Sequence, residues 1–203
     1  MPNDERGTLR IESDGGWSVG DVIGLLNGVD AAYRGILMFE TVLDLQADEY
    51  RRRRESFPFA DGFYGPSSLV LAVTGLSATA LQLWIRPQDE LIVARIELSS
   101  PGFWEFLGSL SPLEVLRRYL DDRHRRRQDR EYREPEERRR LELENLVLEN
   151  QVIRERISLA RELGLGTESL TPLMNRFLYE PLRGLDLLQD RGVIRAKAPE
   201  IDT

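Results

Sequence analysis

The chain has no cysteine and one histidine, His124, in 203 residues. The first absence removes disulfides, thiolate metal sites and a cysteine nucleophile, and leaves the redox compartment open. The second removes most zinc sites and the histidine-assisted nucleophilic mechanisms. Lysine is almost missing too: apart from Lys197, positive charge is carried by arginine. No glycine corner has Gly-x-Gly-x-x-Gly spacing or the Lys-Ser/Thr of a P-loop. Carboxylates are plentiful, Glu142 and Glu149 among them, but none falls where the sequence reads as a pocket. The reading therefore assigns no catalytic residue, no metal ligand and no cofactor, and expects a protein that is not an enzyme. Met1 to Arg6 is polar, without an apolar signal core, so the expectation is a cytoplasmic chain.

What is present describes a globular object. An apolar share of 41% is ordinary for a folded domain, and the length holds one buried core plus an appendage. A net charge of −7 argues against a surface that coats nucleic acid. That charge is uneven, since arginines outnumber acids between Arg117 and Arg140 while the rest is acidic.

The elements follow from pattern. Leu9 to Glu12 alternates as a short strand, and Asp14-Gly15-Gly16 breaks it. Ser18 suits a helix N-cap, with Asp21 where a capping-box acid sits. Apolar residues from Val22 to Val42 then recur at helical spacing, predicting a long helix that reaches Arg51–Arg54. Ser67 to Ile85 carries no charge and is long enough to raise the question of a membrane span. Its hydroxyls, Gly75 and Gln82 favour two buried strands instead, Leu69–Val73 and Ala80–Ile85. The second is expected to form a hairpin with Leu91–Leu98 through Arg86–Glu90. A Ser99-Ser100-Pro101-Gly102 corner is read as opening a helix at Phe103-Trp104-Glu105-Phe106 that continues past Tyr119. Arg10-Ile11-Glu12 and Arg95-Ile96-Glu97, each followed by glycine, tryptophan and a helix, hint at duplication. The expected fold is α+β: a small ferredoxin-like, split βαβ sheet over residues 1–120 with helices on one face. A C-terminal helical appendage fills 121–203.

In that appendage a new helix is expected near Pro135, with its patterned part running from Leu141 to Leu163. Gly164-Leu165-Gly166 is expected to end it, and Thr171-Pro172 and Pro181-Leu182 to start two further helices. Leu143, Leu146, Asn150, Ile153 and Ile157 follow a 3–4 spacing, and an Asn among core positions is a coiled-coil device for fixing register. Those residues are the expected interface for a homo-oligomer or a protein partner. A second stripe, Leu141, Leu148, Val152, Leu159 and Leu163, makes the apolar face wide enough to pack inside its own domain as well. Arg123, Arg125, Arg126 and Arg127 are candidate contacts for phosphate or an acidic partner. Interspersed acids such as Asp121, Asp122 and Glu131 also read as their ion-pair partners along a soluble stalk.

The segment Arg95-Ile96-Glu97-Leu98-Ser99-Ser100-Pro101-Gly102-Phe103-Trp104-Glu105, followed by a charged helix, resembles small bacterial adaptor-type proteins of conflict and antiphage systems. The resemblance spans roughly residues 90–160 and implies an adaptor or assembly role, with no site residues carried over. The function expected is thus a non-enzymatic interaction protein, self-associating or docking a partner through its C-terminal helix, in bacterial defence. The alternatives are a nucleotide- or nucleic-acid-binding regulator using Arg117–Arg140, and a membrane-acting effector spanning at Ser67–Ile85. Turn signals and polarity weigh against the span.

Overall fold

The computed structural model describes residues 5–13, 17–56, 73, 75, 80, 83–99, 101–128, 150–162, 164–192, 194 and 201–202. The Asp14–Gly16 corner, Pro135, Leu143 and Leu146 lie outside the described residues, as do the side chains of His124, Arg125, Arg126 and Arg127.

Strand β1, Arg6–Ser13, turns Gly7, Leu9, Ile11 and Ser13 inward and leaves Thr8, Arg10 and Glu12 half-buried on the other face. That is the period-2 alternation expected of a strand with one covered face. Helix α1, Val19–Ser56, begins as expected. Ser18 Oγ accepts from the Asp21 amide at 3.1 Å, and an Asp21 carboxylate oxygen accepts from the Ser18 amide at 3.2 Å. Two otherwise orphaned donors are satisfied reciprocally. Along its middle, Ile36, Leu37, Met38 and Phe39 are all buried, so this helix is surrounded rather than amphipathic. Its portion Val19–Arg52 is long and apolar enough to cross a membrane by length and composition, but most of its apolar side chains belong to the protein's own buried cluster.

The sheet has the order β2-β3-β1-β4, with every neighbouring pair antiparallel. Strand β2 is Ile92–Glu97, β3 is Gly102–Ser109 and β4 is the two-residue Ile201–Asp202. Two expectations are corrected here. Phe103-Trp104-Glu105-Phe106 is strand, not the start of a helix, and the next helix, α2, runs from Leu110 to Gln128. Bulky aromatics fit a pleated, half-covered surface, and Trp104 and Phe106 alternate inward opposite Ile11 and Leu9. The partner of β2 is β3, reached through the Leu98–Pro101 turn, and not the segment before Arg86. In that turn Ser99 Oγ donates to the Pro101 carbonyl at 2.7 Å rather than capping a helix. A Cβ on Gly102 would meet the Ser99 backbone oxygen at 2.7 Å, so the corner admits only glycine.

The two β-like pieces expected in Ser67–Ile85, Leu69–Val73 and Ala80–Ile85, lie mostly outside the described residues, and the described positions are not strand. Val73, Gly75 and Ala80 are helical, and Leu83 and Trp84 lie in a turn. A short uncharged apolar run does not distinguish buried strand from buried helix by periodicity.

Asn150 is not inside a helix. It precedes α3, Gln151–Glu162, and its Oδ1 accepts from the amides of Val152 at 3.1 Å and Ile153 at 3.4 Å. It is an N-cap, a use that asparagine favours as strongly as any residue. Gly164, with φ of 82°, closes this helix while the Leu165 amide bonds the Ala160 carbonyl at 3.0 Å, the expected glycine stop.

Pro172 and Pro181 do not start separate helices. Helix α4, Thr167–Met174, passes through a π segment, Asn175–Tyr179, directly into α5, Glu180–Asp190. Pro181 has no amide hydrogen to give the carbonyl of Phe177 four residues back, and its ring crowds that carbonyl, so the helix widens there. Gly35 of α1 receives this widened backbone at close range. Leu185 and Leu188 of α5 lie over Gly28 and Gly24 one helical turn apart. The C-terminal helices share one buried cluster with the sheet: Ile153, Ile157, Leu173, Leu178 and Leu185 join Leu9, Trp104 and Leu116.

Candidate functional site

Strand β2 is the feature that internal packing does not explain. All six of its residues are exposed, including Ile92, Val93 and Ile96 at 41–46%, and Leu98 just beyond it is 65% exposed. By contrast β1 and β3 bury their inward residues almost completely. Val93 and Ile96 pair with the buried Phe106 and Trp104, so they extend the core-facing side of the sheet past its cover. Among the described residues β2 pairs on one side only, with β3, and an exposed edge strand of this kind is a template for pairing.

The opposite face carries charge in a regular array. Arg10 and Arg95 both lie opposite Glu105, Ile11 and Ile96 both lie opposite Trp104, and Glu12 and Glu97 both lie opposite Phe103. The repeated Arg-Ile-Glu triplets are therefore two strands flanking a third in the same register, rather than two copies of a strand–helix unit. Both guanidinium groups gather on the Phe103 ring, Arg10 at 3.7 Å and Arg95 at 5.1 Å from its centroid. Arg10 approaches Glu105 at 3.9 Å, and Arg95 approaches Glu97 at 3.6 Å, where both side chains remain about half exposed.

The start of β2 is fixed by a buried network. Tyr33 donates its hydroxyl hydrogen to the Asp89 carbonyl at 2.7 Å and accepts from the Ser109 amide at 2.8 Å. Ser109 Oγ donates to the Asp89 carboxylate at 3.1 Å, and Arg86 Nε donates to the same group at 2.6 Å. Burial pushes the Tyr33 hydroxyl above its ordinary pKa. Central helix, turn and β3 are tied at one point, so the exposed edge is held by a rigid support.

Two further clusters are structural ties. Ser111 donates to Glu40 at 2.5 Å, and Arg156 reaches Glu40 and Asp44 at 3.9 and 3.7 Å, joining α2 and α3 to α1. Desolvation raises the Glu40 pKa. Between α2 and α5, Tyr119 donates to Asp186, while Arg123 contacts Asp186 at 3.0 Å and Asp190 at 2.9 Å. Burial pushes the Asp186 carboxyl up to about 6 and the Tyr119 hydroxyl well above its usual value. The candidate contact Arg123 thus meets acids of its own chain and is only 16% exposed. Arg117 and Arg118 likewise both bind Glu114.

The other expected interface residues point inward. Asn150 is buried and donates from Nδ2 to the Val115 carbonyl at 3.4 Å, and Ile153 and Ile157 are 3% and 4% exposed within the shared core. Trp17 and Trp104 meet edge to face at 5.6 Å, and their indole nitrogens and the Ser13 hydroxyl are buried without hydrogen-bond partners. Among the described residues no three acid or histidine side chains converge as a metal ion would need. The sequence reading missed the β2 edge because it paired that strand with the wrong neighbour. The available signal was the Arg-Ile-Glu repeat.

Comparison with known proteins adds no assignment: no protein-family model, curated protein or solved structure matches the chain.

Proposed function

We propose that this chain is a non-enzymatic interaction and assembly protein, adaptor-like in character, that self-associates. One observation carries the reading: a rigidly supported edge strand, β2, exposes Ile92, Val93, Ile96 and Leu98, which solvent disfavours and which no described part of the chain covers. Edge strands are ordinarily short, charged or covered; this one carries Arg95 and Glu97 on one face but leaves Val93 and Ile96, with Leu98 just beyond, open on the other. Where the sequence placed self-association on the C-terminal helix, the burial of Asn150, Ile153 and Ile157 supports moving it to the sheet edge.

The sheet itself is read as a split βαβ, ferredoxin-like layer. In support, α1 lies between β1 and β2, β3 sits between those two strands, and the order is β2-β3-β1-β4. A role in bacterial defence rests on the sequence resemblance alone. Light scattering after size-exclusion chromatography, on the full chain over a wide concentration range, tests the assembly reading. A discrete oligomer supports it, and a monomer at every concentration overturns it.

A further inference from the structure

We propose that a second copy of this chain docks antiparallel on the free edge of β2, centred on Ile96, joining the two sheets into one. The inference rests on the assembly reading and names its partner and its register.

Symmetry limits the choices. Two identical antiparallel edges are related by a two-fold axis perpendicular to the sheet, and residues on the same face then oppose one another. Each allowed register is centred on a single residue. Centring on Arg95 sets two arginines face to face, and centring on Glu97 does the same with two glutamates; like charges directly opposite are destabilising. Centring on Ala94 sets Arg95 against Val93 across the bulge that lies between those two positions. Centring on Ile96 sets Arg95 against Glu97 of the partner subunit, and the symmetry repeats that ion pair.

The other face agrees with this register. Ile96 meets its own copy in an apolar pair, and Leu98 of each copy faces the bulge at Ala94 of the other. The exposed surfaces of Ile96 and Leu98 would be covered together. The charged row also continues without a clash. Arg10, Glu105 and Arg95 already alternate in sign across three strands, and Glu97 of the partner subunit would be the next member. Beyond the bulge, Arg95 to Glu97 pairs regularly with β3, so the three residues at the centre of the docking register form a well-formed ladder.

The experiment uses the full chain. Arg95→Glu and Glu97→Arg each place like charges across the axis and are expected to weaken the dimer at least about tenfold by light scattering. The double variant Arg95→Glu/Glu97→Arg exchanges the charges across the axis and is expected to recover association relative to both single variants, less the cost of the carboxylate set opposite Glu105 in its own sheet. General damage to the sheet would not produce that recovery. Because the chain has no cysteine, Ile96→Cys supplies a single reporter at the axis. A short bismaleimide is expected to link two such chains, whereas Val93→Cys, away from the axis, stays unlinked. An oligomer that persists in both charge variants and does not link at position 96 overturns this register while the assembly reading stands. A chain that is monomeric throughout overturns both.

Discussion

Replacing Gly35 by alanine tests the packing of the central helix. In an isolated helix interior this change stabilises by about 1 kcal/mol, because glycine loses the most backbone freedom on folding. Here a Cβ on Gly35 would lie 3.0 Å from Pro181 Cγ and 3.1 Å from the Phe177 carbonyl carbon, with the carbonyl oxygen nearer still. Those atoms belong to backbone and to a proline ring, which cannot rotate aside. Overpacking of this kind costs about 1–3 kcal/mol, and the upper end applies where backbone must move. The net expectation for Gly35→Ala is a loss of about 2 kcal/mol. Gly184 provides the internal control: it is exposed inside α5 and a Cβ there meets nothing within 4 Å. Gly184→Ala should gain about 1 kcal/mol by the same propensity argument. Urea unfolding of the two variants beside wild type should therefore show shifts of opposite sign, separated by about 3 kcal/mol. Gly35→Ala as stable as wild type would refute the close approach of α1 to the π segment.

Three further expectations follow from named contacts. Ser18→Ala removes the reciprocal cap of α1 and should cost about 1 kcal/mol in urea unfolding, with Ser18→Gly costing a few tenths. Ile157→Ala should cost about 2–4 kcal/mol and leave the oligomeric mass unchanged, because the side chain is 4% exposed inside the chain's own core; loss of mass without loss of stability would contradict that placement. Asp186 titrates at about 6 when folded against an ordinary 3.8, so the folded state holds the extra proton between those values and stability falls as pH rises through that window. The gap corresponds to up to about 3 kcal/mol. Asp186→Asn, still facing Tyr119, Arg123, Asp190 and Arg183, should gain on wild type between pH 4 and pH 7. A stability difference that does not change with pH would contradict the burial argument.

The legible parts of this fold were those set by local chemistry. The Ser18/Asp21 box, the helical spacing from Val22 to Val42 and the Gly164 stop each act within a turn or two of chain, and each formed as expected. The failures share a cause: the deciding interaction was distant in sequence. Phe103 to Phe106 could open a helix or extend a strand, and the choice was made by Leu9 and Ile11 about a hundred positions earlier. Asn150 fits a coiled-coil core position or a helix cap, and the cap prevails through its bond to Val115 of α2. Two prolines read as helix starts because the sequence alone gives no sign that α1 carries a glycine opposite the widened turn. Arg123 illustrates the same limit for function. A basic residue in a charge run looks available until Asp186 and Asp190, more than sixty positions later, are placed beside it.

The repeated Arg-Ile-Glu triplet was the informative signal, although duplication was the wrong inference from it. Two strands with the same three-residue pattern are not required by descent to match; flanking one strand in one register is enough reason. Each arginine lies opposite Glu105 and reaches the Phe103 ring, Arg10 approaching Glu105 and Arg95 approaching Glu97, and each isoleucine lies opposite Trp104. In β1 the isoleucine belongs to the shared core cluster and is buried at 2%, although β4 reaches only Thr8 and Leu9. In β2 the same pattern pairs, among the described residues, with β3 alone, and its isoleucine is 46% exposed. The triplet has a further property that matters only on an open edge. Read antiparallel to itself about its central residue, Arg-Ile-Glu sets plus against minus and apolar against apolar. A second copy of the chain would therefore satisfy the triplet of β2 at its edge, as the added strand.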